Sequence, residues 1–144
     1  MAEPKPPPAE DPVRSRIMSA VRRRDTRAER ALRDALDRAG ARYTTNDRSL
    51  PGSPDVVFPD RHLAVFVHGC FWHRHPGCPR ATMPKSHRDY WERKFQANVE
   101  RDARKLQALR ELGWSVCVVW ECEIMSDADS VARRLLESYG LESR

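Results

Sequence analysis

The chain has 144 residues, of which 33% are charged and 40% hydrophobic, and a formal charge of +5. That length fits one domain around one core, and the basic balance favours an anionic partner. No apolar run reaches the length of a membrane span, and the opening MAEPKPPPAEDP lacks the apolar centre of a signal peptide. No membrane role is expected, and the expected compartment is the cytosol, where thiols stay reduced.

Residues 1–13 are proline-rich and polar, which predicts a disordered leader. Residues 14–144 then read as one domain. Its first segment is basic: RSRIMSAVRRRDTRAER carries seven arginines against Asp25 and Glu29. A short helix is expected around Arg14 to Arg22, with Ile17, Met18 and Val21 on its apolar side. A second helix is expected over Arg27 to Ala39. There Ala28, Ala31, Leu32, Ala35, Leu36 and Ala39 recur at i, i+3, i+4, and Gly40 follows as a stop. Thr26 and Glu29 have the capping-box spacing.

Three strand candidates come next: ARYTT (41–45), DVVF (55–58) and HLAVFV (62–67), the last two joined by a tight turn at PDRH. A long amphipathic helix is predicted from Arg88 to Leu112. Trp91, Phe95, Asn98 or Val99, Asp102, Leu106 and Leu109 share its face, and Gly113 ends it. WSVCVVW (114–120) reads as a strand buried on both faces. A last helix runs from Ala128 to Tyr139 and packs through Val131, Leu135 and Leu136. The order α, β, β, β, α, β, α predicts an α/β fold with a mixed sheet flanked by helices.

Chemistry concentrates in FVHGCFWHRHPGC (66–78). Cys70-x4-His75-x2-Cys78 offers three thiolate or imidazole ligands in one loop, and tetrahedral zinc takes four. Cys122, just past the apolar strand, is the natural fourth. His73 competes with His75 for the histidine position. The alternative is a loop of free thiols and surface histidines. Cys117 lies within the apolar strand and reads as a small core residue.

A second group forms across the hairpin. With a turn of two or four residues, cross-strand pairs sum to 121, so Asp55 faces Phe66 and His68 is its diagonal neighbour on the same face. A carboxylate there can hold Mg²⁺, which polarises a scissile phosphate. An imidazole beside it can act as general base at neutral pH. The bland reading of Asp55 is a turn or cap residue. Phe71 and Trp72, held in the metal loop, are expected to stay out of the core and to wedge between base pairs. The arginines of residues 14–30 are expected to contact phosphates or the minor groove.

Together RSRIMSAVRRRDTRAERAL, SLPGSPDVVF, FVHGCFWHRH, YWERKFQANVERD and LGWSVCVVWEC resemble, in order, the very short patch repair (Vsr) mismatch endonucleases. The resemblance covers about residues 14–123. It implies a restriction-endonuclease-like fold with a structural zinc site, and Mg²⁺-dependent nicking of one strand 5′ to the thymine of T:G mismatches. Such mismatches arise when 5-methylcytosine deaminates.

By position, Asp55 then resembles the metal-binding aspartate and Val67 supplies a backbone carbonyl to the same Mg²⁺. His68 and Glu29 resemble the holders of metal-bound water. His73 resembles the catalytic base, oriented by Asp102. The zinc set becomes Cys70, His75, Cys78 and Cys122, with His75 as the ligand. Glu29 keeps both a capping and a water-holding reading. The implied DNA-binding set is Phe71, Trp72 and Trp91, with Arg14, Arg16, Met18, Arg22, Arg23 and Arg24 from the basic segment, residues 14–26.

Three features depart from the family pattern: Val67 where a hydroxyl residue is usual, the RHPGC loop, and FVH in place of the restriction-fold Glu-x-Lys. The last puts proton transfer on histidine. The expected partner is double-stranded DNA with a T:G mismatch, met by a monomer in the bacterial cytoplasm at the nucleoid, with downstream repair proteins as further partners. The alternatives are a restriction-like nickase of other specificity and a zinc-stapled DNA-binding module without cleavage.

Overall fold

The computed structural model describes residues 26–141. The expected leader and the helix around Arg14 to Arg22 lie outside them, as do Arg14, Arg16, Met18, Arg22, Arg23 and Arg24.

The first element is helix α1, Arg27–Arg38. Thr26 caps it, its Oγ1 accepting a hydrogen bond from Glu29 N at 3.2 Å. Its apolar stripe, Ala28, Leu32, Ala35 and Leu36, is buried. Strands β1 (Thr44–Thr45), β2 (Val56–Phe58) and β3 (Leu63–His68) follow. A 3-10 turn at Pro59–Arg61 joins β2 to β3, and His62 closes it in the left-handed region, φ 47°. Helix α2 spans Arg88–Glu111, strand β4 Ser115–Trp120, helix α3 Glu121–Ser126 and helix α4 Ala128–Ser138.

The sheet order is β1-β2-β3-β4. β1 and β2 pair antiparallel, as do β2 and β3, whereas β3 and β4 are parallel. Val56 pairs with Val65, the register expected for the hairpin. β3 is buried along its whole length because both faces of the sheet are covered. Leu63, Val65 and Val67 join Leu32, Leu36, Ile124 and Leu135 of α1, α3 and α4 in one core. Ala64 and Phe66 point the other way, to Leu109 and Leu106 of α2. His68 follows the same alternation onto the α2 side.

One expectation is corrected. β4 is not buried on both faces, because it forms the sheet edge and only Val119 along it is fully buried. The fully enclosed strand is β3. On α2, of the two positions expected on the inner face, Asn98 takes it and Val99 is exposed. Helix α3 was not foreseen.

Candidate active site and metal centre

β3 ends at His68 and the chain passes through Gly69 into a long loop that returns to α2. The loop carries Cys70, His75 and Cys78, and α3 brings Cys122 to them. One ligand atom from each of the four lies within 4.8 Å of all the others. Nδ1 of His75 is 3.6 Å from Cys70 Sγ and 3.4 Å from Cys122 Sγ. Bonds of about 2.0–2.3 Å to a tetrahedral ion give ligand separations of roughly 3.4–3.8 Å. The four donors therefore fit a closed tetrahedral metal site. Burial, the largest cause, pushes the Cys70 thiol up to about 12, a cost that a bound cation would offset by holding the thiolate. Glu121, beside Cys122, accepts a hydrogen bond from Cys70 N at 3.1 Å.

A cleft opens on the α2 side of the same strand end, lined by Glu29, Asp55, His68, His73 and Asp102 among others. Asp55 lies just before β2. Its Oδ2 accepts a hydrogen bond from Val67 N at 2.7 Å, which fixes the carboxylate against β3. The Glu29 carboxyl is within hydrogen-bonding reach of it. Burial foremost, then the Glu29 charge, raises Asp55 from 3.8 to about 7, against the lowering effects of the Val67 amide and His73. Two acids crowded together in a buried pocket suit a divalent cation, whose charge would offset their repulsion.

His68 stacks on His73 with ring centroids 4.0 Å apart and planes at 8°. Nδ1 of His73 lies 2.6 Å from Asp102 Oδ2. His68, His73 and Asp102 form a second cluster of donor atoms within 4.8 Å of one another. Burial first and then His73 depress His68 to about 3, so it is neutral at physiological pH. Glu29 thus starts α1 under the Thr26 cap through its backbone N–H, and its buried carboxyl lies within hydrogen-bonding reach of Asp55.

Residues 9–79 match the family model described as DNA mismatch endonuclease Vsr. The chain is 42% identical over 112 residues to DNA mismatch endonuclease Vsr of Escherichia coli (strain K12), a match that spans 78% of this chain and 71% of that protein.

The chain belongs to the Vsr family.

It is also 50% identical over 119 residues to Type II nicking enzyme V.XorIIP of Xanthomonas oryzae pv. oryzae, spanning 83% of this chain and 86% of the relative. To Type II nicking enzyme V.NaeI of Lentzea aerocolonigenes it is 44% identical over 121 residues, 80% and 71% of the two chains. As a Vsr-family member it is a DNA endonuclease.

Against the expectation that Phe71 and Trp72 stay clear of a core, both are buried in a small core of their own with Trp91 and Phe95, whose shared helix face was expected. Between the donors Cys70 and His75 the loop turns its aromatic edge onto α2, where Asn98 Nδ2 holds the Trp72 carbonyl. Phe71 meets Trp72 and Phe95 edge-on, each at 5.2 Å.

Four further residues that build the site carried no motif. The Arg74 guanidinium lies 3.9 Å over the Phe95 ring and donates to the carbonyls of Phe71, Ala81 and Thr82. Asn98 Nδ2 donates to Trp72 O at 3.2 Å. Lys94 is buried on the same helix. Trp120 stacks on His75 at 4.2 Å. Asn98 was one of two candidates for the inner face of α2 and Trp120 ended the apolar run, but neither gave a sign of its contact with the loop.

Proposed function

We propose that this protein is a Mg²⁺-dependent, strand-specific mismatch endonuclease that nicks 5′ to the thymine of a T:G pair in double-stranded DNA. The observation that carries the reading is the gathering of Glu29, Asp55, His68, His73 and Asp102 in one cleft beside the four-donor metal loop. The four-strand mixed sheet with helices on both faces supports a restriction-endonuclease-like fold.

Asp55 and the Val67 carbonyl would hold Mg²⁺, with His68 and Glu29 on its water ligands. Mg²⁺ there supplies a Lewis acid for the scissile phosphate and its leaving oxygen. Zn²⁺ on Cys70, His75, Cys78 and Cys122 supplies folding energy and no chemistry. Asp102 accepts a hydrogen bond from Nδ1–H of His73 and so fixes the tautomer, which leaves Nε2 to take a proton from water as the water oxygen bonds to phosphorus and the bond from phosphorus to the leaving oxygen breaks. His68, kept neutral by burial, adds no charge that would compete with Mg²⁺. Phe71, Trp72 and Trp91 are the wedge set, and the arginines of residues 14–26 are the expected phosphate grip. The working form is a monomer in the cytoplasm.

End-labelled T:G and T:A duplexes in varied flanking contexts, incubated with Mg²⁺, test the reading. A nick confined to the thymine strand of T:G is expected. Failure to nick T:G in any context sinks it. Equal nicking of T:A favours a restriction-like nickase, a reading that the relatives named type II nicking enzymes keep in play.

A further inference from the structure

We infer that Trp120 is a positioning residue whose indole couples the metal loop to the His68–His73 pair and sets the angle of the general base. The inference rests on the proposed role of His73.

The parallel register pairs His68 of β3 with Trp120 of β4. Their side chains therefore leave the same face of the sheet side by side. The Trp120 indole meets His68 edge-on at 5.3 Å, with planes at 75°. It also carries the His75 ring stacked at 4.2 Å and 12°. His68 in turn stacks on His73 at 4.0 Å. Four rings thus run without a break from a donor of the metal loop to the base, and Asp102 of α2 closes the far end at 2.6 Å.

The residues that follow Trp120 bind the same loop by other means. Glu121 takes the Cys70 amide at 3.1 Å, and Cys122 is one of the four metal donors. Those two hold the loop against the end of β4. Trp120 reaches both the loop and the His68 ring. A flat, rigid side chain that presents a face to one imidazole and meets another edge-on limits the tilt of both, which an aliphatic branch does not do. Without it, His68 keeps the His73 stack and the looser, tilted Phe66 ring at 6.1 Å but loses its contact toward the metal loop, and the pair can turn together about the Asp102 contact.

The test compares Trp120→Leu, Trp120→Phe and His75→Cys in the full chain. Four quantities are read: bound zinc, affinity for a T:G duplex, single-turnover nicking, and the histidine imidazole NMR signals. In Trp120→Leu, zinc and duplex affinity stay at the wild-type level, nicking slows on the order of 10- to 100-fold, and the His68 and His73 signals shift. Trp120→Phe restores most of the rate. His75→Cys keeps the metal on four thiolates but removes a ring from the run, and nicking slows without zinc loss.

Wild-type nicking by Trp120→Leu with unmoved His68 and His73 signals overturns the inference. So does a rate loss that merely tracks lost zinc. If Trp120→Leu does not fold, His75→Cys decides, and full nicking with full zinc overturns the inference. If the wild-type protein nicks nothing, the proposed function falls, and the imidazole signals still report whether Trp120 orders the pair.

Discussion

The carboxyl of Asp55 sits between the Val67 amide and the Glu29 carboxyl, and it ionises at about 7 in the fold against 3.8 in its ordinary state. Between those two values the folded chain holds a proton that the unfolded chain has released. Stability of the metal-free protein from this group therefore falls as pH rises through that window, and the loss is complete above it. Thermal melts of metal-free protein from about pH 5 to about pH 8 should show this decline, and Asp55→Asn should flatten it. The same variant should melt a few degrees higher than wild type at the alkaline end while losing nicking by roughly 100-fold or more. A decline that persists unchanged in Asp55→Asn assigns it to other groups. Asp102 differs, because its carboxylate meets His73 Nδ1 at 2.6 Å and is proposed to orient that ring. Asp102→Asn should leave duplex affinity intact and lower the nicking rate on the order of 100-fold. Loss of binding in place of rate would show that Asp102 holds the cleft and not the base.

At the scale of elements, Thr26 and the metal loop do for the site what packing does for the core. Thr26→Ala should cost about 1 kcal/mol, the usual worth of such a cap, read by urea denaturation. It should also slow nicking, since the first turn of α1 carries Glu29 to Asp55. Residues 69–87 contain no helix or strand, so their order depends on the metal donors and on Arg74. Chelation should strip hydrogen-exchange protection from this loop while the β3 amides, buried on both faces, keep theirs. Uniform loss would mean that the loop and the core unfold as one unit.

The elements were legible where period and length agreed. α1, α2 and α4 have apolar repeats near 3.6 residues, and the hairpin register followed from its turn. α3 was not legible because ECEIMS is too short to show a period. The edge position of β4 was missed because an apolar run looks the same at an edge and in a centre. Cys70, Cys78 and Cys122 were readable from spacing, whereas the choice of His75 over His73 came from the family resemblance. The contacts of Trp120, Arg74 and Asn98 were not, because they join elements 26 or more residues apart or depend on ring orientation.

Across the whole molecule, the cleft gathers the acids Glu29, Asp55 and Asp102 with the bases Arg48, Arg80, Arg101 and Lys105. The net charge of +5 draws a duplex in regardless of sequence, so discrimination has to come from a later step. In the proposed function, the cluster that Phe71, Trp72 and Trp91 close with Phe95 would supply one. To wedge into a duplex these rings must leave one another, which forfeits buried apolar contact. The Trp91 Nε1 group works the other way. It is buried with no acceptor among the described residues, a cost of about 1–3 kcal/mol that opening would recover. Unstacking costs a few kcal/mol more for a matched step than the helix readily returns, and less at a mismatch. The balance of these terms should therefore open the cluster on T:G and keep it shut on T:A. Tryptophan emission reads the difference directly, since Trp72 and Trp91 lie in the cluster whereas Trp114 and Trp120 lie on β4 or beside it. Emission should change on mixing with T:G duplex without Mg²⁺, change far less with T:A, and lose much of its amplitude in Trp91→Phe. Equal changes with both duplexes would make the cluster plain core and place discrimination in the chemical step.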